Sequence, residues 1–223
     1  MKSIQGLITG VAIVALAVIG APVASAAPVT GAEAAKQVVL EQFRENLAEA
    51  SEAGDAEAAE SVESFDSLTR QQRSELAELL TGERTWEPST NLDEEIVVER
   101  GVVPRAAAAA TQSRTIWYTS AFTFAGIKVT ETKVTGRYTA QGSSAKRILS
   151  NSCTVVRNFQ PFTNVNTNQS ASYVNGKNAV FDCRVRVQRG IPTAWGTIDW
   201  STKEQVQTVS GSGYGTVVSR GWR

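Results

Sequence analysis

The chain of 223 residues contains no histidine. That absence removes the Ser-His-Asp and Cys-His nucleophilic sites, the H-E-x-x-H zinc site and every imidazole general base. Most hydrolases are excluded with them. Sulfur is nearly as scarce, with two cysteines, Cys153 and Cys183. Two thiolates without a histidine cannot complete a zinc site, so neither a metal nor a cofactor is expected. Long apolar runs are missing apart from residues 7–19. That stretch is too short to cross a bilayer, so no transmembrane span is expected in the mature chain.

The one apolar run has a different meaning. Met1-Lys2-Ser3 gives it a positive start, and Ala24-Ser25-Ala26 follows it as a small-x-small cleavage site. Residues 1–26 read as a secretory signal peptide cut between Ala26 and Ala27, which makes the mature chain secreted and extracellular. No cysteine at the cut and no hydrophobic C-terminal tail offers a lipid anchor, so the mature chain is expected to be released or held non-covalently. In an oxidising compartment Cys153 and Cys183 are expected to form one disulfide.

Carboxylates are rare in the second half. From residue 105 onward four acidic residues, Glu131, Asp182, Asp199 and Glu204, face fifteen basic ones, a net of plus eleven. Residues 27–104 carry eighteen acidic against six basic residues, a net of minus twelve. The zero net charge of the whole chain is therefore a cancellation. Two halves so charged attract each other or take different partners.

Residues 34–53 place Ala35, Val39, Phe43, Leu47 and Ala50 on one helical stripe that ends at Gly54. A short acidic run follows through Glu63. Thr69-Arg70-Gln71-Gln72 then offers a capping box for a second helix, which buries Leu76, Leu79 and Leu80 and stops at Gly82. The two helices make an acidic helical hairpin over residues 27–82. Its thin apolar stripe needs another surface to lean on.

Residues 83–112 read as a linker. Pro88 and Pro104 break any periodicity, Asp93-Glu94-Glu95 is a charged run, and Ala106 to Ala110 is an alanine tract. Ile96-Val97-Val98 and Val102-Val103 could pair as a strand on the domain that follows. Arg105 stands as a possible processing site in this exposed stretch, with an ordinary linker residue as the alternative.

Residues 113–223 form a basic β domain rich in threonine, valine, asparagine and aromatics. Phe181, Cys183, Val185 and Val187 alternate with Asp182, Arg184 and Arg186, the pattern of a half-buried strand. Further strands are expected at 116–124, 127–138, 153–158, 193–200, 205–210 and 214–220. Asn175-Gly176 signals a type I′ hairpin turn, and the other asparagines, at 151, 164, 166, 168 and 178, mark loops. The fold class is thus α+β, an N-terminal helical hairpin followed by an antiparallel all-β sandwich or small barrel. Both cysteines sit on apolar strand faces, so their bond is expected to tie two strands through the core.

Phe65-Asp66-Ser67-Leu68-Thr69-Arg70-Gln71-Gln72 followed by Leu76-Ala77-Glu78-Leu79-Leu80-Thr81-Gly82 resembles a stretch in secreted actinobacterial proteins of unassigned function. In those proteins an acidic helical segment precedes a β domain. The resemblance implies a secreted bacterial setting and no activity.

Ser143-Ser144-Ala145-Lys146 matches the S-x-x-K of penicillin-interacting enzymes, but the S-D-N and K-T-G tripeptides those enzymes use do not occur. A polar loop between strands is the preferred reading. Asp199, between Ile198 and Trp200, is the one carboxylate of the β domain whose apolar neighbours suit a glycosidase acid, and an outward aspartate on a strand is preferred.

What remains is arginine near aromatic side chains. Arg114, Arg137, Arg157, Arg184, Arg186 and Arg220 are the candidates for binding an anionic polymer or membrane surface. Scattered surface charge accounts for the same six without a ligand. The expected function is a secreted, non-enzymatic protein whose basic β domain binds an anionic cell-envelope or extracellular target, with the acidic helices as a pro-segment or regulatory segment. The alternatives are a protein–protein interaction or inhibitor protein, with another protein as partner, and a small cell-wall hydrolase.

Overall fold

The computed structural model describes residues 31–84, 111–193 and 196–223, with 31–32 and 191–201 as backbone alone. The expected signal peptide, with its expected cut after Ala26, lies outside the described residues, as do Arg105, the alanine tract and the candidate strand at 96–103.

Three helices open the described chain, where the sequence pattern predicts two: α1 (Gly31–Glu52), α2 (Ala56–Asp66) and α3 (Arg70–Thr81). α1 stops where expected, at Gly54, whose φ of 96° suits a residue without a β-carbon. α3 begins at the Thr69/Gln72 capping box and ends on left-handed Gly82. α2 is the acidic run read as a connection. The Asp55 side chain accepts from the backbone N–H groups of Glu57 and Ala58 to start it. Its buried face is Ala58, Ser61 and Phe65. Two of those three are small, so the apolar period in the sequence is faint.

Seven strands follow: β1 (Gln112–Phe124), β2 (Ile127–Gln141), β3 (Ser144–Asn158), β4 (Thr163–Asn175), β5 (Asn178–Thr193), β6 (Gly196–Gly211) and β7 (Val217–Trp222). They form a three-stranded sheet, β1-β2-β3, and a four-stranded sheet, β4-β5-β6-β7, antiparallel throughout. The chain is α+β, and its β part is a sandwich. Ile116, Tyr118, Val134, Tyr138 and Ala140 of the first sheet pack against Ala179, Phe181, Cys183 and Val209 of the second. The Cys153–Cys183 bond joins β3 to β5, and so sheet to sheet, with the α-carbons 5.7 Å apart.

Several local readings change. Asn164, Asn166 and Asn168 lie in β4, not in a loop. They point outward from an edge strand, where no packing demands an apolar side chain. The strands expected at 193–200 and 205–210 are not separate: residues 196–200 begin the long strand β6, which continues through 205–210, and Thr193 closes β5, paired to Gly196. In the β4–β5 turn Asn175 pairs with Asn178, so the central residues are Gly176 and Lys177. Gly176 alone has positive φ, the pattern of a type II′ turn rather than I′.

A second apolar cluster joins the helices to one end of the sandwich. Val39, Phe43, Leu47, Ala58, Phe65, Leu76, Leu79 and Leu80 share it with Phe122, Ile127, Val129 and Phe159, from the β1–β2 and β3–β4 ends. Asn46 donates to the Phe159 carbonyl across the same seam. Charge closes its rim. Arg157 on β3 lies 2.7 Å from Glu57 and 2.9 Å from Glu131, and Lys128 lies 3.0 Å from Glu57. The acidic helices therefore cap one end of the sandwich and leave the other end to the hairpin turns.

Candidate functional site

Antiparallel strands alternate their ends, so the β2–β3, β4–β5 and β6–β7 turns all lie opposite the helical cap. Backbone contacts draw these three turns together. The Gly213 N–H donates to the Ser143 carbonyl, and the Ala145 N–H donates to the Lys177 carbonyl at 2.8 Å. Gly213 must be glycine here, because a β-carbon would overlap the Ser143 backbone. At Gly215, where φ is 84°, a β-carbon would stand 3.2 Å from the Arg114 stem, which places Arg114 beside the β6–β7 turn. Tyr138, buried beneath, donates to the Ser212 carbonyl at 2.5 Å and pins the β6–β7 turn from inside. Burial pushes the Tyr138 phenol up to about 12, and the Arg114 charge opposes that rise.

The result is a tip of one charge. Arg114 and Arg137 near the ends of β1 and β2, Lys146 and Arg147 at the start of β3, and Lys177 in the β4–β5 turn surround it. The parts of these strands next to the tip, residues 111–118, 134–150, 171–181 and 209–219, contain no aspartate or glutamate. Lys146, Arg147, Lys177 and Arg137 are exposed. The Arg114 Nε is buried and makes no hydrogen bond among the described residues.

No family model, no curated protein and no solved structure matches this chain.

The six arginines taken from the sequence do not form one site. Arg114 stands at the tip, and Arg137 faces outward on β2 opposite Thr115 and Ser150. Arg157 belongs to the cap, bound to Glu57 and Glu131. Arg184 and Arg186 project from the outer face of the four-stranded sheet, in register with Asn168 and Asn166 of β4. Arg184 is paired with Glu204 at 3.1 Å. Arg220 lies over the Tyr118 ring, its guanidinium carbon 5.7 Å from the ring centre, where a cation is attracted to the π face.

Lys146, Arg147 and Lys177 are the tip residues that the arginine-and-aromatic pattern misses. The first two follow the β2–β3 turn and the third lies in the β4–β5 turn, so it is the packing of one sheet on the other that brings these turns together, through the Ala145 N–H to Lys177 carbonyl bond. Their one signal in the sequence is a cation close to Gly142-Ser143 or Gly176. Arg223 is a further residue outside that pattern. It bonds the carboxylate of Asp182, which is fully buried.

The alternative sites stand as follows. Ser143 of the S-x-x-K match is the second residue of a hairpin turn, and Ser144 opens a strand, so the serine is not at a helix start. Asp199 pairs with Gly190 in the β5–β6 ladder, and its side chain lies outside the described residues. Among the described residues there is no group of three or more histidine, cysteine, aspartate or glutamate side chains placed to hold a metal ion. Among them too, no helix is long and apolar enough to cross a membrane.

Proposed function

We infer that this chain is a secreted, non-enzymatic protein that binds an anionic target through the basic tip of its β sandwich. The observation that carries this reading is the segregation of charge: cations without carboxylates at the three joined turns, and acidic helices at the opposite end. Magnitudes favour it. Strands of 13 to 16 residues separate the ends by roughly 40 Å, against a screening length of about 8 Å in physiological salt. The carboxylates of the cap therefore leave the tip's attraction for an anion intact.

The same layout bears on the acidic helices. They share an apolar cluster with the sandwich, and the ion pairs of Glu57 with Arg157 and Lys128 fasten them to it away from the tip. That supports a permanent cap with a regulatory or structural part over a removable pro-segment. The disulfide fits a protein working in an oxidising compartment.

The test is binding of the full chain to soluble polyphosphate across a salt series. Affinity should fall steeply with ionic strength. The double variant Arg147→Gln, Lys177→Gln should weaken it by roughly fivefold or more per charge removed. Arg184→Gln, Arg186→Gln on the sheet face should leave it within about twofold. Equal losses from both pairs would make the reading one of general surface charge, and no binding at low salt would end it.

A further inference from the structure

The tip carries more than charge. Tyr214 in the β6–β7 turn is 65% exposed, and on the strand segments that lead from the tip Val218 near the start of β7 is 53% exposed, Leu149, six residues into β3, 46%, and Tyr173 near the end of β4 41%. Two others, Val38 on α1 and Val156 farther along β3, lie elsewhere. Tyr214 is the most exposed of them all. Its two glycine neighbours place it beside the cationic set, since the Gly213 N–H bonds the Ser143 carbonyl three residues before Lys146 and the Arg114 stem lies where a β-carbon of Gly215 would meet it.

Isolated exposed apolar residues need no explanation, but a tyrosine left in solvent at a cationic turn, with further exposed apolar side chains on the strands leading to it, does. A soluble polyanion would meet the cations and leave Tyr214, Tyr173, Leu149 and Val218 in water. A bilayer with anionic headgroups meets both. Lysine and arginine side chains sit at the phosphate level, while tyrosine rings and aliphatic side chains enter the boundary between headgroups and acyl chains. The geometry adds orientation. The acidic cap is repelled by the same surface, so the molecule presents the tip and holds the helices away from it.

We propose that the tip docks on the surface of an anionic phospholipid bilayer, with Tyr214 as the interfacial anchor and Arg147, Lys146 and Lys177 as the headgroup contacts. This rests on the tip being the binding site, and it names the target. The anchor lies at a turn with its side chain in solvent, so its replacement leaves the cores of the sandwich untouched.

Flotation of the full chain with vesicles decides the matter. The vesicles are phosphatidylcholine alone or phosphatidylcholine with phosphatidylglycerol, and polyphosphate binding is measured in parallel. The unaltered chain should float with the anionic vesicles and not with the neutral ones. Tyr214→Ser should weaken vesicle binding by about tenfold and leave polyphosphate binding unchanged. Equal vesicle binding by Tyr214→Ser and the unaltered chain overturns the proposal. So does a chain that binds polyphosphate and ignores anionic vesicles, an outcome that spares the tip as an anion site and makes its target a soluble polymer. A chain that binds neither overturns the tip as well.

Discussion

Gln207 reaches across the sandwich from β6 and holds Thr132 of β2 at both ends of its amide. The Thr132 hydroxyl donates to Gln207 Oε1, while Gln207 Nε2 donates to the carbonyls of Thr132 and Tyr118. Gln207 is fully buried, and the β2–β3 register slips beside Thr132. A glutamine in this place satisfies the Thr132 hydroxyl and two backbone carbonyls inside the core. Gln207→Leu keeps the volume and strands those carbonyls, so it should destabilise the chain by about 2 to 4 kcal/mol, read from urea unfolding. Thr132→Val should cost less, because Gln207 keeps its two donor bonds. A Gln207→Leu variant as stable as the unaltered chain would sink the argument.

Gly136 sits mid-strand in β2 because the Phe181 ring lies where its β-carbon would be. Phe181 is fully buried and also tilts against Tyr138, ring centres 6.0 Å apart. Gly136→Ala should therefore cost about 2 to 3 kcal/mol through overpacking, against the usual gain in β propensity. Chemical unfolding measures it. Phe181→Leu in the same background should recover part of the loss, whereas independent sites would simply add.

At the cap, two ion pairs of similar length should differ in worth. Arg157 and Glu131 are 16% and 10% exposed at the side chain, while Glu57 is 50% exposed. Arg157→Leu leaves Glu131 largely buried near Lys128, which stands 3.9 Å away, and should cost about 2 to 4 kcal/mol. Glu57→Gln should cost under about 1 kcal/mol and lose its effect in high salt. Thermal unfolding at two ionic strengths separates them, and equal costs would contradict the burial argument.

Alkali should loosen the tip end of the sandwich. Tyr138 titrates near 12 in the folded chain, above the ordinary tyrosine value of 10, because burial disfavours its anion. The folded state thus binds the phenolic proton more tightly than the unfolded state. Its contribution is full below pH 10 and falls as pH rises from about 10 to 12, by on the order of 2 kcal/mol. Tyr138→Phe should be less stable at neutral pH, through the loss of the Ser212 bond, and should lack that component of the alkaline decline. Unfolding curves taken from pH 8 to 12 check both statements.

How much of this was legible in the sequence depended on whether a residue's role is local. The strand around Cys183 and the limits of α1 and α3 follow from alternation, glycine and a capping box, all of which act within a few residues. α2 was hidden because Ala58 and Ser61 pack by being small, which leaves no hydrophobic period. The asparagines of β4 misled because asparagine is a turn residue by propensity, and an outward position on an edge strand overrides that preference. Of the tip's cations, Arg114 and Arg137 were legible as candidates, but their grouping with Lys146, Arg147 and Lys177 was not. Lys146 and Lys177 are 31 positions apart, in different sheets, and their turns meet only once the two sheets have packed face to face.

Both sheets are meanders, in which each strand bonds only to the strand before or after it in sequence. Such a chain closes short loops first, and this lowers the entropic barrier that long-range β pairing usually imposes. As the chain lengthens, each hairpin has its partner at hand before the next arrives. The steps that must wait are the clasp between Cys153 and Cys183 and the seating of the helices on Phe122 and Phe159. The order of assembly is thereby written into the order of the strands, from first turn to last.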